Sequence, residues 1–464
     1  GRFFYPDCRC YNSSILMRRP TSMKNVFSRK FIEDLSDRDR DLLLGLFLLL
    51  VVAVAYYFQW AYYLTGLEGS KVNIDQPARF FWWANDSRSY RDVGEWLFGR
   101  SDITSIDHRP WLYPLLLGLT RTLFGSGAES VMWVLQLLMW LASGALIYLG
   151  LQNTVHSTAL AMLGAGFFFS HPSPLLLTFH GMTETLNIFV ISAFAWVLTT
   201  TLKNRIYYAI VLIALATVTK PIYLLFLILL VLYILARYRL NTPPATPVGR
   251  SSLLNRKAPA LKQPGLILVL LLPIWIQLAL TLIAIGRPTL STIGSYTFKN
   301  YLVADVYLRT EGTEWRPTME LIKDWDMRQQ LAYLSDNQRM TLLTIRSHLI
   351  DSNLLTGSFY ALGEGNRMKE FSITWNTAAA YIHLLMLPLV LYYLLSKRYT
   401  QNKETIALLY ICFVLQFLTS GISTGQEDRL LITALPLWII AYLAMIHGLW
   451  TSPLPGKNAS IAAR

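Results

Sequence analysis

A run of charged and aromatic residues between two apolar segments contains the densest set of reactive side chains. Residues 80–114 read FFWWANDSRSYRDVGEWLFGRSDITSIDHRPWLYP, with four arginines, four aspartates and one glutamate. A loop at a membrane surface has no structural need for so many charges. Helical spacing places Asp86, Tyr90 and Gly94 on one face, which predicts a short helix in the membrane interface. Asp86 at its head is our candidate general base, the group that takes a proton from a reacting hydroxyl.

Other ionisable residues lie beside apolar segments farther along the chain. Glu184 stands in Thr-Glu-Thr at the edge of an apolar run, and Lys220 and Arg429 begin two others. Ionisable groups at membrane depth are costly and are therefore functional candidates. We assign Glu184 as a second catalytic candidate. The candidate substrate-binding residues are Tyr90, His108, Arg109, Tyr113, Lys220 and Arg429.

Each of these assignments has a plainer alternative. Glu184 could be a buried carboxylate that is paired with Lys220 for structural reasons. Lys220 and Arg429 could be anchors whose long side chains reach the interface. Asp86 could be one solvated carboxylate among several in its loop. The aromatic residues around it, Trp82 and Trp83 among them, could stack on sugar faces, although anchoring of the loop is the simpler interpretation.

Composition restricts the class of protein. Of 464 residues, 53% are hydrophobic and only 15% are charged, whereas soluble domains contain about 25% charged residues. The chain is therefore an all-α polytopic membrane protein. Its net charge of +13 fits cytoplasmic loops and anionic lipid. Nucleic acid is excluded as a partner because the basic residues lie between spans and form no soluble module. Three cysteines are too few for a disulfide framework.

Hydropathy predicts about ten transmembrane helices. They are expected at 42–65, 128–152, 157–171, 175–202, 206–219, 222–238, 265–286, 376–396, 404–420 and 430–450. The basic residues of the N-terminal tail predict a cytoplasmic N terminus, and an even number of spans returns the C terminus to the same side. Residues 111–124, apolar but short and containing Pro114, are interpreted as interfacial or re-entrant.

The same pattern divides the chain into regions. A basic cytoplasmic tail (1–41) precedes a transmembrane module (42–286) that contains the catalytic outer loop (66–127). A large, mostly helical outer loop (287–375) follows, with helical pieces expected at Thr318–Tyr333 and Gln338–Ile350. The C-terminal transmembrane helices (376–450) and a cytoplasmic tail (451–464) complete the chain.

The motifs and their order resemble a known superfamily. Asp86 is followed by Tyr90, then by RPWLYP (109–114), TETL (183–186), TKP (219–221) and EDRLLITALP (427–436). This set resembles the GT-C superfamily of integral-membrane glycosyltransferases. Within it, the sequence is most similar to the branch with protein O-mannosyltransferases and the aminoarabinose transferase that modifies lipid A. Those relatives often show Asp-Glu in the first loop, where this chain has Asp86-Ser87.

The resemblance implies a donor sugar linked to a polyprenyl phosphate. The acceptor would be a hydroxyl of an envelope glycan, lipid or protein, outside the cytoplasm of a bacterial inner membrane. Asp86 would activate that hydroxyl, and Arg109, Lys220 and Arg429 would stabilise the leaving phosphate. A single displacement would invert the anomeric carbon. No cofactor is firmly expected. A divalent cation held between Asp86 and Glu184 is left as an open alternative.

Two other functions fit the same composition. A transporter or flippase for a lipid-linked sugar would show helices broken near the midplane or repeated halves. The polar residues of this chain instead collect on one predicted side, which favours an enzyme. A glycan polymerase would share the location and differ in the chemistry of its long loop.

The predicted topology can be tested by labelling with thiol reagents. Cysteines introduced at Ser101 and Ser335 should react with an impermeant reagent from outside the cell, whereas one at Ser251 should not, because lysine and arginine asymmetry places it in the cytoplasm. Labelling of Ser101 and Ser251 positions from the same side would contradict both the topology and the assignment of the catalytic loop.

Overall fold

The computed structural model describes Leu50 and residues 85–102, 104–241, 268–357, 367–396, 402–423 and 427–451. Residues 1–50 form one unit and residues 51–464 another. Of the first unit only Leu50 is described, and everything below concerns the second. Apart from Leu50, the predicted first span (42–65) lies outside the described residues, and so do the tryptophans at 82 and 83.

The described part of the second unit consists of helices joined by short loops, without a β-strand. Up to residue 285 the described α-helices are α1 (Asn85–Leu97), α2 (Leu112–Phe124), α3 (Ala128–Val155), α4 (Thr158–Ser170), α5 (Pro172–Leu176), α6 (Glu184–Thr199), α7 (Arg205–Thr217), α8 (Leu224–Asn241) and α9 (Leu272–Ile285). From residue 293 onward they are α10 (Ile293–Thr297), α11 (Ala304–Glu311), α12 (Trp315–Ile322), α13 (Met327–Asp336), α14 (Gln338–Ser347), α15 (Arg367–Leu395), α16 (Lys403–Ser420) and α17 (Leu435–Thr451).

Several of these helices are apolar enough to cross a membrane. By length and composition, four helical segments of the described chain qualify, or five if the bent pair of α4 and α5 counts as one. Four further apolar helices, α6 to α9, are shorter. The chain is thus a multi-pass, all-helical membrane protein in its described parts. The total of ten spans stays a prediction.

The predicted fourth span begins later than expected. Residues 175–202 were expected to form one helix, yet α6 starts only at Glu184. The cause is the sequence His-Pro-Ser-Pro at 171–174, because proline stops a preceding helix and starts a new one. The axis bends by 60° there, and the backbone at His180 is extended. Glu184 therefore stands at a helix N terminus.

Helices α2 and α3 form a hairpin. The Tyr113 hydroxyl near the start of α2 donates a 3.0 Å hydrogen bond to Gln136 Oε1 in α3, so the chain reverses at Gly125–Gly127. The 13 residues of α2 extend about 20 Å at 1.5 Å per residue, less than the ~30 Å hydrocarbon core. The interpretation of residues 111–124 as an interfacial or re-entrant segment stays a prediction.

Helix α1 packs on α2 through two glycines. A Cβ atom at Gly94 would lie 2.7 Å from the Pro114 carbonyl oxygen and 3.2 Å from the Gly118 amide nitrogen. Tyr90 and Val93 of the predicted apolar stripe are buried. The two helix backbones are therefore in direct contact near the C-terminal end of α1.

The region 287–375 contains its own small hydrophobic core. Leu302, Val306, Ile322 and Leu334 are buried within it. The prediction of one helix over Thr318–Tyr333 is wrong, because α12 ends at Ile322 and a capping box at Asp326 starts α13. The helix expected over Gln338–Ile350 is α14 followed by π-helical turns to Leu354. The eighth span, expected from residue 376, belongs to a helix that begins at Arg367.

We expect Gly94→Ala to destabilise the protein. The added methyl group would press on backbone atoms of α2, and overpacking of this kind typically costs about 1–3 kcal/mol. Thermal unfolding of the purified protein measures the effect. Gly127→Ala is the control, since a Cβ there meets nothing within 4 Å and φ is −82°. Equal unfolding temperatures for both variants would show that the close approach is absent.

Candidate active site

Five charged side chains form a continuous chain at one end of the helices. Arg109 Nη2 lies 3.0 Å from Asp86 Oδ1, and Asp86 Oδ2 lies 2.9 Å from Arg429 Nη1. Arg429 Nε contacts Glu184 Oε1 at 2.5 Å, and Lys220 Nζ reaches the same oxygen at 3.2 Å. We call these five residues the charged chain. Positive and negative groups alternate along it, with three cations and two carboxylates.

Each member of the charged chain stands at the end of a helix or in a loop beside one. Asp86 is in the first turn of α1, and Glu184 is the first residue of α6. Carboxylates are stabilised there by the positive end of the helix dipole. Lys220 precedes the 3₁₀ turn Pro221–Tyr223, and Arg429 lies in the 3₁₀ turn Glu427–Leu430. The fold thus brings together groups that are up to 343 positions apart.

Burial differs sharply along the charged chain. The side chains of Glu184 and Arg429 are 0% and 6% exposed, whereas that of Asp86 is 39% exposed. Burial raises the pKa of Asp86, but the charges of Arg429 and Arg109 outweigh burial and hold its pKa below the ordinary value. Burial lowers the pKa of Lys220, and its contact with Glu184 offsets this only in part. Asp86 is therefore an ionised carboxylate at the accessible end.

Arg109 is held by groups of α1. Its Nε donates to Ser89 Oγ at 2.8 Å, and Ser89 in turn donates to the Asp86 carbonyl. The guanidinium carbon lies 4.7 Å from the Tyr90 ring centre, a cation–π distance, and the Tyr113 ring meets that of Tyr90 edge-on. Burial lowers the pKa of Arg109, and Tyr90 and Asp86 more than compensate. The guanidinium is thus fixed and charged.

The structure brings most of the predicted site residues together. Glu184 and Lys220 are paired, as expected if Glu184 is a buried carboxylate with a structural role. The Glu184 oxygen that contacts Lys220 also contacts Arg429. His108 is the exception, because its ring contacts Asp107 and Thr292 Oγ1, the latter at 2.6 Å. Ser87, where relatives often have Glu, is buried against Met182. The catalytic and binding roles of all these residues stay predictions.

The sequence reasoning missed three buried glutamines that hold the loops of the site. Gln136 Nε2 donates to the carbonyls of Thr178 and His180, in the segment that leads to Glu184. Gln416 Nε2 donates to the Leu430 carbonyl, next to Arg429. Each glutamine is a polar residue within an apolar run of the sequence. This position is the signal by which the sequence could have identified it.

Gln277 in α9 holds the loop that carries Arg109. Its Oε1 accepts from the Trp111 amide at 3.1 Å, and its Nε2 donates to the Ile106 carbonyl at 2.9 Å. One side chain thus clamps both ends of the segment 106–111. The Trp111 indole adds a bond to the Pro273 carbonyl in the same helix. Arg109 lies between the two clamped residues, so Gln277 determines where it stands.

A divalent cation does not fit between the two carboxylates. Arg429 bridges Asp86 and Glu184 with separate nitrogens, so a guanidinium occupies that position. Among the described residues there is also no cluster of three or more metal-ligating side chains. The described charged chain is therefore suited to binding an anion through its cations.

We expect Gln277→Leu to loosen the Arg109 loop. The change keeps the size of the side chain but leaves two backbone groups unpaired, which costs about 1–3 kcal/mol for each buried group. Hydrogen–deuterium exchange should show faster exchange of the Trp111 amide. Gln338→Leu, at an exposed position, is the control. Unchanged protection at Trp111 would mean that the clamp is not formed in solution.

Comparison with known proteins finds a likeness among solved structures. No protein-family model and no curated protein sequence matches the chain. Among solved structures, the crystal structure of ArnT from Cupriavidus metallidurans bound to undecaprenyl phosphate matches with a TM-score of 0.43 and 13% sequence identity. The match covers 86% of this chain and 59% of the ArnT chain, so this chain spans less than two thirds of its length.

Proposed function

We propose that the protein is a membrane glycosyltransferase that moves a sugar from a polyprenyl phosphate to an acceptor hydroxyl. The observation that carries this proposal is the charged chain, in which Arg109 and Arg429 both contact the accessible Asp86. Two fixed guanidinium groups beside a carboxylate supply the two functions that such a transfer needs. One is an anion site for the phosphate, and the other is a base for the hydroxyl.

The charge balance of the site fits a phosphodiester donor. Arg109, Arg429 and Lys220 carry three positive charges against two negative ones on Asp86 and Glu184, which leaves a net charge of +1. A sugar–phosphate–polyprenol has a single negative charge. As the glycosidic bond breaks, the leaving polyprenyl phosphate gains a second one. Preorganised cations stabilise such developing charge without a reorganisation cost, and guanidinium groups bind phosphate oxygens in pairs.

The transfer is then a single displacement. The acceptor oxygen forms a bond to the anomeric carbon while the bond from that carbon to the phosphate oxygen breaks. The electron pair of the broken bond stays on the phosphate, where Arg109, Arg429 and Lys220 face it. The hydroxyl proton goes to Asp86. Attack from the side opposite the leaving group inverts the anomeric carbon.

Donor binding and base activation are linked through the arginines. A phosphate that binds Arg109 and Arg429 competes with Asp86 for the same N–H groups. A carboxylate that is released from two cations regains a more ordinary pKa and becomes a stronger base. Glu184 is fully buried and keeps its contacts, so it anchors Arg429 and Lys220 rather than taking a proton. Binding of the donor therefore makes Asp86 the stronger base that the transfer requires.

A transporter for a lipid-linked sugar is the second candidate, and one observation favours it. Helices α4 and α5 form a bent pair, and transporters use broken helices of this kind. The charged chain, however, gathers at helix ends rather than in the middle of a span. Release of polyprenyl phosphate on addition of an acceptor indicates transfer. Movement of intact donor across a vesicle membrane indicates transport.

We expect Asp86→Asn to abolish nearly all transfer while preserving binding of the lipid phosphate. Asparagine cannot accept the proton at neutral pH, and a general base typically contributes about 10²–10⁴ in rate. Binding of undecaprenyl phosphate should stay equal or tighten, because Arg109 and Arg429 lose their internal competitor. Transfer is measured as sugar incorporated into acceptor, and binding by titration of the purified protein.

Asp92→Asn is the matched control for this experiment. Asp92 belongs to the same helix and its side chain is 47% exposed, with Arg91 at 3.8 Å. Its substitution should leave both transfer and binding close to those of the parent. An Asp86→Asn protein that transfers sugar at nearly the parent rate would show that Asp86 is only a structural ion-pair partner. Glu184 would then be the next candidate for the base.

A further inference from the structure

The turn that carries Arg429 lies against a segment of the region 287–375. This segment, His348–Leu354, is a run of π-helical turns that follows α14. It packs directly against the 3₁₀ turn Glu427–Leu430 and against α16, the helix that precedes that turn. π-helical turns are rare and occur frequently at functional sites. We call His348–Leu354 the platform.

Two side chains of the platform bond to the end of α16. His348 is fully buried, and its Nδ1 lies 3.0 Å from the Gly421 carbonyl oxygen. Asn353 is also fully buried, and its Nδ2 donates to the Ser420 carbonyl at 2.9 Å and to the Ser423 carbonyl at 3.4 Å. The last carbonyls of a helix have no partner within that helix. The platform therefore supplies hydrogen-bond partners where α16 ends.

The other ring nitrogen of His348 links the platform to the hydrophobic core of the region 287–375. His348 Nε2 lies 2.8 Å from Asp305 Oδ2, and Arg309 Nε contacts the same oxygen at 3.0 Å. Asp305 belongs to α11, which contributes to that core. The Gly421 carbonyl and the Asp305 carboxylate both accept hydrogen bonds, so the protonated imidazole ring donates to both at once. His348 therefore links α11 to the end of α16.

The contact between the platform and α16 is closely packed. A Cβ atom at Gly421 would lie 2.8 Å from Leu349 Cγ, so this side chain of the platform touches the backbone at the end of α16. A short stretch of chain leads from Gly421 to Arg429. On the other side of Arg429, the Gln416 side chain donates to the Leu430 carbonyl. The turn is therefore held before and after Arg429, and close packing allows it little displacement.

We propose that the platform positions Arg429 for the phosphate of the donor, with His348 and Asn353 as positioning residues. The inference rests on the proposed function, which assigns the phosphate to the arginines of the charged chain. Arg429 contacts both carboxylates of the charged chain with separate nitrogens, and a small displacement of the turn would break this geometry. The hydrogen bonds of His348 and Asn353 reach Asp305 and the end of α16 rather than the charged chain. Both residues therefore act through the backbone.

The test measures binding of undecaprenyl phosphate to the purified full chain. Asn353→Leu removes the two bonds to α16 and should raise the Kd about tenfold, because a displaced guanidinium binds phosphate less well. His348→Gln keeps an amide donor and should have a smaller effect in the same direction. Asn337→Leu is the matched control, since Asn337 also donates to a carbonyl within the region 287–375, that of Tyr333. Its Kd should equal that of the parent.

A double-mutant cycle separates positioning from a general loss of structure. In Arg429→Gln the phosphate has already lost its contact with this guanidinium, so the addition of Asn353→Leu should change the Kd no further. A substitution that only weakened the fold would lower the affinity by the same factor in both backgrounds. Equal factors would therefore overturn the proposal, and so would a parental Kd in both Asn353→Leu and His348→Gln.

A measurement on the unchanged protein covers the case in which the variants do not fold. Coupling between two sites is reciprocal, so addition of undecaprenyl phosphate should slow hydrogen–deuterium exchange of the platform amides. Slower exchange around Arg109 with unchanged exchange of the platform would overturn the proposal and leave the proposed function intact. Failure of the parent to bind the lipid at all would contradict the proposed function, and this inference with it.

Discussion

The contact between Glu184 and Arg429 is the interaction on which the rest of the site depends. Glu184 is completely buried and can stay charged only because Arg429 and Lys220 neutralise it. Loss of one partner from such a buried pair typically costs about 3–5 kcal/mol, because the remaining charge is left without compensation. Arg429 also reaches Asp86, so the interior pair sets the position of the accessible carboxylate. The starts of α1 and α6 and the 3₁₀ turn Glu427–Leu430 must therefore meet at one point.

Loops at such a point need support, because their backbone groups lie close to a membrane and must find partners within the protein. Gln136, Gln277 and Gln416 supply those partners from inside apolar helices. Each donates to a carbonyl of a segment that carries one member of the charged chain. A glutamine can donate and accept at once, which suits it to clamping both ends of a loop, as Gln277 does. The helical bundle thus positions loop residues through its own polar side chains.

The sequence predicted the class of protein and the members of the charged chain, because ionisable residues beside apolar runs are conspicuous. The late start of α6 was not predicted, because Pro172 and Pro174 were expected to form a turn directly before a longer span. The contact of Gly94 with α2 was not predicted either, because glycine has no apolar side chain that would contribute to the hydrophobic periodicity. The bond from Arg429 to Asp86 joins residues 343 positions apart, and no local periodicity encodes such a contact.

The two carboxylates differ in how easily a phosphate could replace them. Asp86 is 39% exposed and binds one arginine with each oxygen, so an anion that displaced it would meet both guanidinium groups. Glu184 is enclosed, and an anion would have to enter the protein interior to compete with it. On the proposed mechanism, Asp86 is the exchangeable partner and Glu184 the permanent one. Hydroxyl activation then follows donor binding, because Asp86 becomes an effective base only once the phosphate has taken its arginines.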